Sequence, residues 1–277
     1  MANVGVQDLI KGSKKDIEMV RSDAVEKVEV INPSGGIWIP IPHDVLPSSG
    51  NGYDGQLEGR PLNATEIKSL STMNQKNSEA LVDSVLKVAI RGVPFESLKI
   101  ADKMFLLMWL RQNTYKRTGY TMNYECPDCE AKFQSSFDVD MLEVIQLDDY
   151  SEEKFHVEIN GKDFKIKHRT IADEIIVKEF LKKNASSPIN WDVEMLETAS
   201  SIESIDDEPI SLLAKYRIIT DEDKFTPDDF NDLLATINSV GIGIKPIIEV
   251  TCVKCGGKGQ SLIPFRPDFF LPASKSK

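Results

Sequence analysis

The residues with the clearest potential for chemistry are four cysteines, which form two C-x-x-C pairs. Cys126 and Cys129 lie in YECPDCEAKF, and Cys252 and Cys255 lie in TCVKCGGKG. A C-x-x-C turn presents two sulfurs to one metal ion, and four thiolates complete the tetrahedral shell of a structural Zn²⁺. The two pairs together therefore predict one structural zinc ion per chain, held by all four cysteines.

The two pairs are far apart in the sequence. Residues 130–251, 122 in all, separate them, whereas the two pairs of a local zinc finger are separated by roughly 12–20 residues. The pairs can share an ion only if the fold brings the two turns together. Four thiolates leave no open position for a substrate, so the predicted site is architectural rather than catalytic.

Two other roles for the cysteines remain open. A thioredoxin-type redox pair sits at the start of a helix, where the helix dipole lowers the thiol pKa. The segments that follow the pairs here, KFQSSF and QSLIPF, instead have an extended pattern. Unliganded cysteines are the third alternative. In a reducing compartment paired cysteines are more often metal ligands or redox centres than disulfides, and zinc is the role that this pattern favours.

A similar series of elements is predicted around each pair. In residues 100–138 an apolar helix containing MFLLMWL is followed by Gly119, the strand YTMNYE, the first C-x-x-C and a returning strand. In residues 227–265 a helix capped by Thr226 is followed by Gly241, the strand IGIKPIIEVT, the second C-x-x-C and QSLIPF. We expect an α+β fold in which two halves, each a helix–strand–CxxC–strand unit, are joined through a zinc site made of the four cysteines.

The sequence divides into three regions. Residues 1–62 are rich in Pro and Gly and predict irregular β and loop structure. Residues 63–146 predict helices and the first C-x-x-C turn with its two strands. Residues 147–277 predict a hairpin, helices and the second C-x-x-C turn with its two strands. The acidic segment QLDDYSEE, residues 146–153, is the predicted joint between the two later regions, which we expect to pack as one body.

Local capping and turn signals place individual elements. Asn63 and Glu66 have capping-box spacing before a helix, and Thr170 caps another. SEALVDSVLKVAIRG repeats apolar residues at helical spacing, and WDVEMLETASSI predicts a further helix. Asn160 and Gly161 form the strongest short signal for a β-hairpin turn.

The composition is that of a globular protein, with 41% hydrophobic and 28% charged residues. Lys and Arg number 33 and Asp and Glu 44, a net charge of −11. Such a chain repels phosphate backbones, which disfavours nucleic acid as a partner. The sequence has no apolar run long enough to span a membrane and no secretory signal. We therefore expect a protein that folds in a cytoplasm and has no membrane partner.

Sequence motifs of catalysis are missing. G-x-x-x-x-G-K-[ST], G-x-S-x-G and H-E-x-x-H do not occur. The three histidines, His43, His156 and His168, have no carboxylate or nucleophile at a recognisable spacing. We interpret His156 and His168 as ordinary surface side chains. The sequence predicts that the protein is not an enzyme, because an activity would need a pocket that no motif reveals.

The segment PFRPDFFLP near the end of the sequence concentrates apolar side chains among prolines. Its Phe265, Phe269, Phe270 and Leu271 are candidates for partner binding, because aromatic anchors on a rigid, extended segment suit an interface. Packing of these side chains on the protein's own core is the alternative.

Three segments carry a resemblance to known proteins. They are LPSSGNGYDGQLEGRPLNATEIKSL, then LKIADKMFLLMWLRQNTY followed by GYTMNYECPDCEAKFQ, and finally VGIGIKPIIEVTCVKCGGKGQSLIPFRPDFFLP. They lie within residues 46–138 and 239–272. Because these segments occur in this order, the chain resembles the baseplate hub subunits and hub assembly proteins of T-even-like, contractile-tailed bacteriophages.

The resemblance implies a late bacteriophage protein that acts in viral tail assembly. It implies a non-enzymatic structural or assembly protein that binds other baseplate and hub proteins in the host cytoplasm, either as a virion component or as a chaperone. The alternative function is a cytoplasmic zinc-ribbon adaptor that contacts nucleic acid. That function would need a basic stripe, whereas KIKHR and YKR are balanced by neighbouring acids.

Overall fold

The computed structural model describes residues 37–74, 77–115, 120–221 and 223–263, without the side chain of Val139. The chain forms two compact units. We call residues 149–241 the inserted unit, because in the sequence they lie between the two parts of the other unit. The described residues 37–148 and 242–263 make up the outer unit. The first boundary, between Asp148 and Asp149, falls in the acidic segment.

The secondary structure of the described residues mixes helices and strands. The α-helices are α1 (Ala64–Ser71), α2 (Ser78–Ala89), α3 (Ile100–Tyr115), α4 (Ile171–Lys183), α5 (Val193–Ser200), α6 (Leu212–Ile219) and α7 (Pro227–Ser239). The strands are β1 (Ile39–Pro40), β2 (Glu58–Gly59), β3 (Ile90–Arg91), β4 (Tyr120–Glu125), β5 (Lys132–Phe137), β6 (Glu143–Ile145), β7 (His156–Ile159), β8 (Lys162–Ile166), β9 (Ile202–Ile205), β10 (Gly243–Lys245), β11 (Ile247–Thr251) and β12 (Lys258–Leu262). The predicted mixture of α and β structure is confirmed.

The strands form small antiparallel sheets. In the outer unit β1, β2 and β3 form a three-stranded sheet, while β4–β5, β6–β10 and β11–β12 form two-stranded ladders. In the inserted unit β7, β8 and β9 form a three-stranded sheet. Because β6 and β10 flank the inserted unit in the sequence, their pairing joins the two parts of the outer unit.

Helix α3 lies in the core of the outer unit. Leu106, Leu107, Met108 and Leu110 are almost completely buried, as the apolar run MFLLMWL predicts. Neither α3 nor any other helix in the described ranges is long and apolar enough to cross a membrane.

The caps of two helices are confirmed as predicted. At the start of α1 the Asn63 side chain accepts a hydrogen bond from the Glu66 N–H, and the Glu66 carboxylate accepts one from the Asn63 N–H. At the start of α4 the same reciprocal arrangement links Thr170 and Asp173. Each arrangement satisfies backbone donors that the first helical turn leaves free.

The inserted unit is built around the β7–β8 hairpin. Its turn is at Asn160 and Gly161, whose φ values of 53° and 69° are those that the predicted two-residue turn requires. The hairpin, β9 and three helices enclose a core of Ile159, Phe164, Ile166, Ala199, Ile202, Ile205, Ile219, Phe225 and Leu233. All of these core residues belong to the inserted unit, so it has a hydrophobic core of its own.

Two elements of the inserted unit, β9 and α6, have no counterpart in the sequence-based prediction. WDVEMLETASSI has the pattern of one helix, but α5 ends at Ser200 and Ile202 begins β9, where it pairs with Ile166 on β8. Helix α6 does have a local signal, because the Ser211 side chain caps it by accepting a hydrogen bond from the Ala214 N–H.

The segment IGIKPIIEVT, predicted as one strand, is two strands with different partners. Pro246 separates them, since proline has no N–H to donate to a ladder. Strand β10 pairs with β6, and β11 pairs with β12. The second predicted helix–strand–CxxC–strand unit is also divided, because α7 belongs to the inserted unit and the β11–β12 hairpin to the outer unit.

The negative charge of the chain is concentrated in one part of it. Residues 149–241 contain 21 acidic and 11 basic side chains, a net charge of −10. The outer unit, residues 37–148 and 242–263, contains 16 acidic and 14 basic side chains, a net charge of −2. The inserted unit is therefore strongly acidic and the outer unit nearly neutral.

Candidate metal centre

The two C-x-x-C turns have the same backbone geometry. In each turn the N–H of the first cysteine donates to the carbonyl of the residue five positions later. Cys126 donates to Ala131 at 3.0 Å, and Cys252 donates to Gly257 at 2.8 Å. The turns close the β4–β5 and β11–β12 hairpins, so both hairpins end in the same sulfur-bearing loop.

The residue four positions after the first cysteine reverses the chain in both turns. Its N–H donates to the carbonyl of that cysteine at 2.9 Å. Gly256 adopts the required left-handed conformation at φ 73° without steric cost, whereas Glu130 adopts it at φ 57° at a cost of roughly 1 kcal/mol. The glycines after Cys255 predict a tight bend, but the equivalent role of Glu130 has no comparable sequence signal.

The fold brings the four cysteine sulfurs together. Cys126 Sγ lies 3.7 Å from Cys255 Sγ, and Cys129 Sγ lies 3.7 Å from Cys252 Sγ. All four sulfurs lie within 4.8 Å of one another. A tetrahedron with metal–sulfur bonds of 2.3 Å has edges of about 3.8 Å. No disulfide joins these four cysteines, and their positions could hold one metal ion.

The four thiols differ in their exposure. Cys126 and Cys252, the first cysteine of each turn, are buried, with 1% and 2% of their surface exposed. Cys129 is half-buried and Cys255 is exposed. The first cysteines thus face the interior of the outer unit and the second cysteines lie closer to its surface.

Hydrogen bonds shift the pKa values of the Cys252 and Cys255 thiols in opposite directions. Backbone N–H groups of Cys255 and Lys254 lower the pKa of Cys252 to about 6. The Gly257 N–H lowers the pKa of Cys255, but hydrogen bonds with Cys129 and Cys252 outweigh it and raise that pKa to about 12. In the absence of a metal ion these hydrogen bonds therefore favour a thiolate at Cys252 over one at Cys255.

Neither turn has the position of a thioredoxin-type redox pair. Strand β5 follows the first turn and β12 follows the second, so neither pair lies at a helix N-terminus. The helix dipole that activates such thiols therefore does not act on either pair.

The two hairpins contact each other through glycines of the second turn and its strand. A Cβ on Gly259 would overlap the hydroxyl of Tyr124, and a Cβ on Gly257 would overlap the carboxylate of Asp128. Tyr124 is held in place by an edge-to-face contact with Phe133, at 5.4 Å between ring centroids. Sequence reasoning missed this contact, because the residues on its two sides are more than 100 positions apart.

A second polar cluster of the outer unit surrounds Asp102, and both oxygens of this carboxylate accept hydrogen bonds. The buried Asp102 carboxylate accepts hydrogen bonds from the Ser48 N–H at 2.9 Å, the Ser48 hydroxyl at 2.6 Å and the Tyr53 hydroxyl at 2.5 Å. Burial raises the pKa of Asp102, and burial together with the charge of Asp102 raises the pKa of Tyr53. The cluster fastens the loop after β1 to the first turn of α3.

The histidines are placed differently from the surface positions that the sequence predicts. His156 is half-buried, and its Nδ1 lies 2.7 Å from a carboxylate oxygen of Asp163. His168 is half-buried, with Nε2 at 2.6 Å from the Val240 carbonyl and its ring against Phe155. The four cysteines are the one group of three or more potential metal ligands that the described ranges bring together.

The candidate partner-binding side chains of the tail, Phe265, Phe269, Phe270 and Leu271, lie outside the described residues. The described part of the chain ends at Ile263, directly after β12. The partner-binding role of these four tail side chains therefore stays a prediction.

A comparison with protein families decides what kind of protein this is. Residues 42–271, well over half of the chain, match the model of a family described as T4 bacteriophage base plate protein. The chain belongs to this base plate protein family. No curated protein and no solved structure gave a significant match.

The match confirms the resemblance at the level of the base plate. The family match covers residues of both units of this base plate protein. It includes residues 139–238, in which the sequence analysis found no resemblance. The matched range contains all four cysteines and ends at Leu271, the last apolar residue of the predicted partner-binding group. A more specific role in the hub stays a prediction.

Proposed function

We propose that this base plate protein is a structural or assembly protein of the base plate hub and acts by binding other base plate proteins rather than by catalysis. The family match over residues 42–271 carries the proposal. The three segments that resemble hub proteins lie within this range, except for Pro272. Binding takes place in the host cytoplasm during tail assembly.

A phage with a stop codon early in this gene tests the hub role. We expect infected cells to accumulate tail components without complete hubs, and we expect the protein supplied from a plasmid to restore them. Electron microscopy and protein composition of purified tail intermediates provide the measurement. Complete hubs in the mutant, with the defect elsewhere in the base plate, would reject this assignment.

We also infer that Cys126, Cys129, Cys252 and Cys255 hold one structural Zn²⁺ per chain. The 3.7 Å sulfur separations support zinc, since they match the edge of a tetrahedral four-thiolate site. With all four positions taken by protein sulfur, the ion would supply folding energy, on the order of 10 kcal/mol in small zinc peptides. Its role would be to fasten the β4–β5 hairpin to the β11–β12 hairpin.

Metal analysis of the purified chain tests this site. We expect one zinc ion per chain, and we expect the Cys126→Ser and Cys252→Ser variants each to lose most of it together with thermal stability. Ser261→Ala, on the neighbouring strand β12, is the matched control and should keep its zinc. A wild-type chain with no zinc, or with two ions, contradicts a shared site, and a reversible two-electron redox couple would favour the thiol–disulfide alternative.

The aromatic tail is the proposed anchor for partner proteins. Truncation after Pro264 removes Phe265, Phe269, Phe270 and Leu271. If these side chains bind a partner, the truncated chain should stay folded and soluble, bind zinc as before and fail to restore tail assembly. Loss of solubility and of cooperative unfolding would instead show that the tail packs on the protein's own core.

A further inference from the structure

The contacts among the four cysteine sulfurs run between the two hairpins. Cys126 Sγ lies 3.7 Å from Cys255 Sγ, and Cys129 Sγ lies 3.7 Å from Cys252 Sγ. Each of these two pairs takes one cysteine from the turn after β4 and one from the turn after β11. A bond between the two sulfurs of either pair would therefore join the hairpins without a metal ion.

The two members of each pair differ in their exposure to solvent. Cys255 is exposed and Cys129 is half-buried, so a small oxidant in solution reaches these two sulfurs first. Cys126 and Cys252 are only 1% and 2% exposed. Each pair thus combines an accessible sulfur, which an oxidant can attack, with a buried sulfur in contact with it, which can complete a disulfide.

The backbone of the second turn holds its two sulfurs in place. The Lys254 N–H donates a hydrogen bond to Cys252 Sγ at 3.4 Å, and the Gly257 N–H donates one to Cys255 Sγ at 3.4 Å. Packing between the hairpins has already closed the long stretch of chain between the paired cysteines. A disulfide therefore needs only the approach of two sulfurs from 3.7 Å to a bond length of about 2.0 Å.

We propose that a peroxide converts the metal centre into two disulfides between the hairpins, Cys126–Cys255 and Cys129–Cys252. This inference deepens the role of the cysteines and rests on the zinc site proposed above. The disulfides take over the role of the metal ion, so the β4–β5 hairpin stays fastened to the β11–β12 hairpin when zinc is lost. A thioredoxin-type catalyst instead cycles a disulfide within one C-x-x-C turn.

Each disulfide consumes one peroxide molecule. The thiolate of the accessible cysteine attacks one peroxide oxygen, the O–O bond breaks, and a sulfenic acid and a hydroxide ion form. The buried thiolate of the same pair then attacks the sulfenic sulfur, and a second hydroxide ion leaves as the S–S bond forms. The two sulfurs give two electrons to the peroxide. Because zinc binds thiolates, the loss of all four releases the ion.

Both disulfides close long loops of the chain. Their cysteines are 129 and 123 positions apart, and each loop contains the whole inserted unit. A cross-link over a long loop restricts the unfolded chain strongly, whereas a disulfide within one turn would enclose two residues and leave the hairpins unjoined. We therefore expect the oxidised, zinc-free chain to unfold at a higher temperature than the reduced, zinc-free chain.

Titration of the zinc-loaded full chain with hydrogen peroxide tests the proposal. We expect each chain to consume two peroxide molecules and to release its zinc to a coloured indicator. A dithiol reductant with added zinc should restore the starting state. Cleavage after Lys254 and before Asp128 leaves each cysteine on a peptide of its own, so mass spectrometry identifies the pairing directly.

Two double variants with two cysteines each provide a matched comparison. Cys129→Ser/Cys252→Ser keeps the pair Cys126 and Cys255 and should form that disulfide with one peroxide. Cys126→Ser/Cys129→Ser keeps both cysteines of the second turn and should form a disulfide at least about tenfold more slowly. Circular dichroism shows whether both variants are folded, and the mapping of the wild-type chain decides the pairing if either is not.

The outcomes separate this inference from the zinc site. Disulfides within the turns, Cys126–Cys129 and Cys252–Cys255, would overturn the proposal and leave the zinc site standing, as would sulfinic acids without any disulfide. A purified chain without zinc would overturn the zinc site instead. The same mapping of the reduced, metal-free chain would then test the pairing alone, and disulfides within the turns would reject it.

Discussion

The buried charge of Lys215, on α6, affects the stability of the inserted unit. Its side chain is 9% exposed, and its Nζ donates a hydrogen bond to the Ile202 carbonyl at 2.5 Å. Burial, together with repulsion from Lys167, lowers the pKa of Lys215 from 10.5 to about 8. The unfolded chain therefore binds this proton more tightly than the folded chain does.

The direction in which stability changes with pH follows from this difference in pKa between the folded and the unfolded chain. Above pH 10.5 Lys215 is neutral in both states and its burial has no electrostatic cost. As the pH falls towards 8 the unfolded state gains the proton first, so stability decreases, and below pH 8 the full cost is present. A pKa difference of this size corresponds to about 3 kcal/mol.

Lys215→Met should remove this pH dependence. We expect the variant to gain stability over the wild type at pH 7, and we expect the advantage to shrink by up to about 3 kcal/mol as the pH is raised above 10. Urea unfolding of both proteins at a series of pH values measures this difference in the free energy of unfolding. Lys182→Met, at an exposed position of α4, should show a constant difference from the wild type. A constant difference for Lys215→Met as well would contradict the assigned role of burial.

At the scale of elements, the metal centre depends on how closely two hairpins approach each other. Neither β4–β5 nor β11–β12 has a third strand in the described ranges, and an isolated two-stranded hairpin is only marginally stable. The approach of Gly259 to the Tyr124 hydroxyl and of Gly257 to Asp128 positions the two cysteine turns. Packing between the hairpins and metal binding should therefore be coupled.

Gly259→Ala tests this coupling. The added methyl group overlaps the Tyr124 hydroxyl, so we expect a loss of roughly 1–2 kcal/mol in stability and weaker zinc binding. Tyr124→Phe should relieve part of the loss in the double variant, because it removes the atom that the methyl group meets. Gly243→Ala on β10 is the control, since no heavy atom lies within 4 Å of its added Cβ. Additive effects of Gly259→Ala and Tyr124→Phe would argue against this contact.

At the scale of the whole molecule, the two units should respond differently to the loss of metal. The inserted unit has a core made entirely of its own residues. The outer unit instead contains all four cysteines and the two marginal hairpins. A metal ion at the four sulfurs would thus support the outer unit directly and the inserted unit hardly at all.

Hydrogen exchange before and after chelation of zinc in the full chain measures this difference. We expect the amides of β4, β5, β11 and β12 to lose protection by at least about tenfold, while those of β8 and β9 keep theirs. The zinc-loaded chain without chelator is the reference. Equal loss of protection in β8 and β9 would show that the two units unfold together, and unchanged protection in all strands would show that the metal is not structural.

Features that depend on residues close together in the sequence could be predicted from it. The helix caps at Asn63 and Thr170, the turn at Asn160 and the sulfur-bearing turns all follow from residues a few positions apart. Side-chain and backbone groups at such short separations meet in almost any fold. The order of larger segments also indicated a base plate protein, which the family match confirmed.

Contacts between elements that are distant in the sequence follow from the folded structure alone. Cys126 and Cys255 are 129 positions apart, and their contact depends on hairpin packing that no local pattern encodes. The same holds for the division of IGIKPIIEVT at Pro246, since β10 and β11 pair with strands on opposite sides in the sequence. The cysteine turns were thus evident from the sequence, whereas the cluster of four sulfurs depends on long-range contacts within the outer unit.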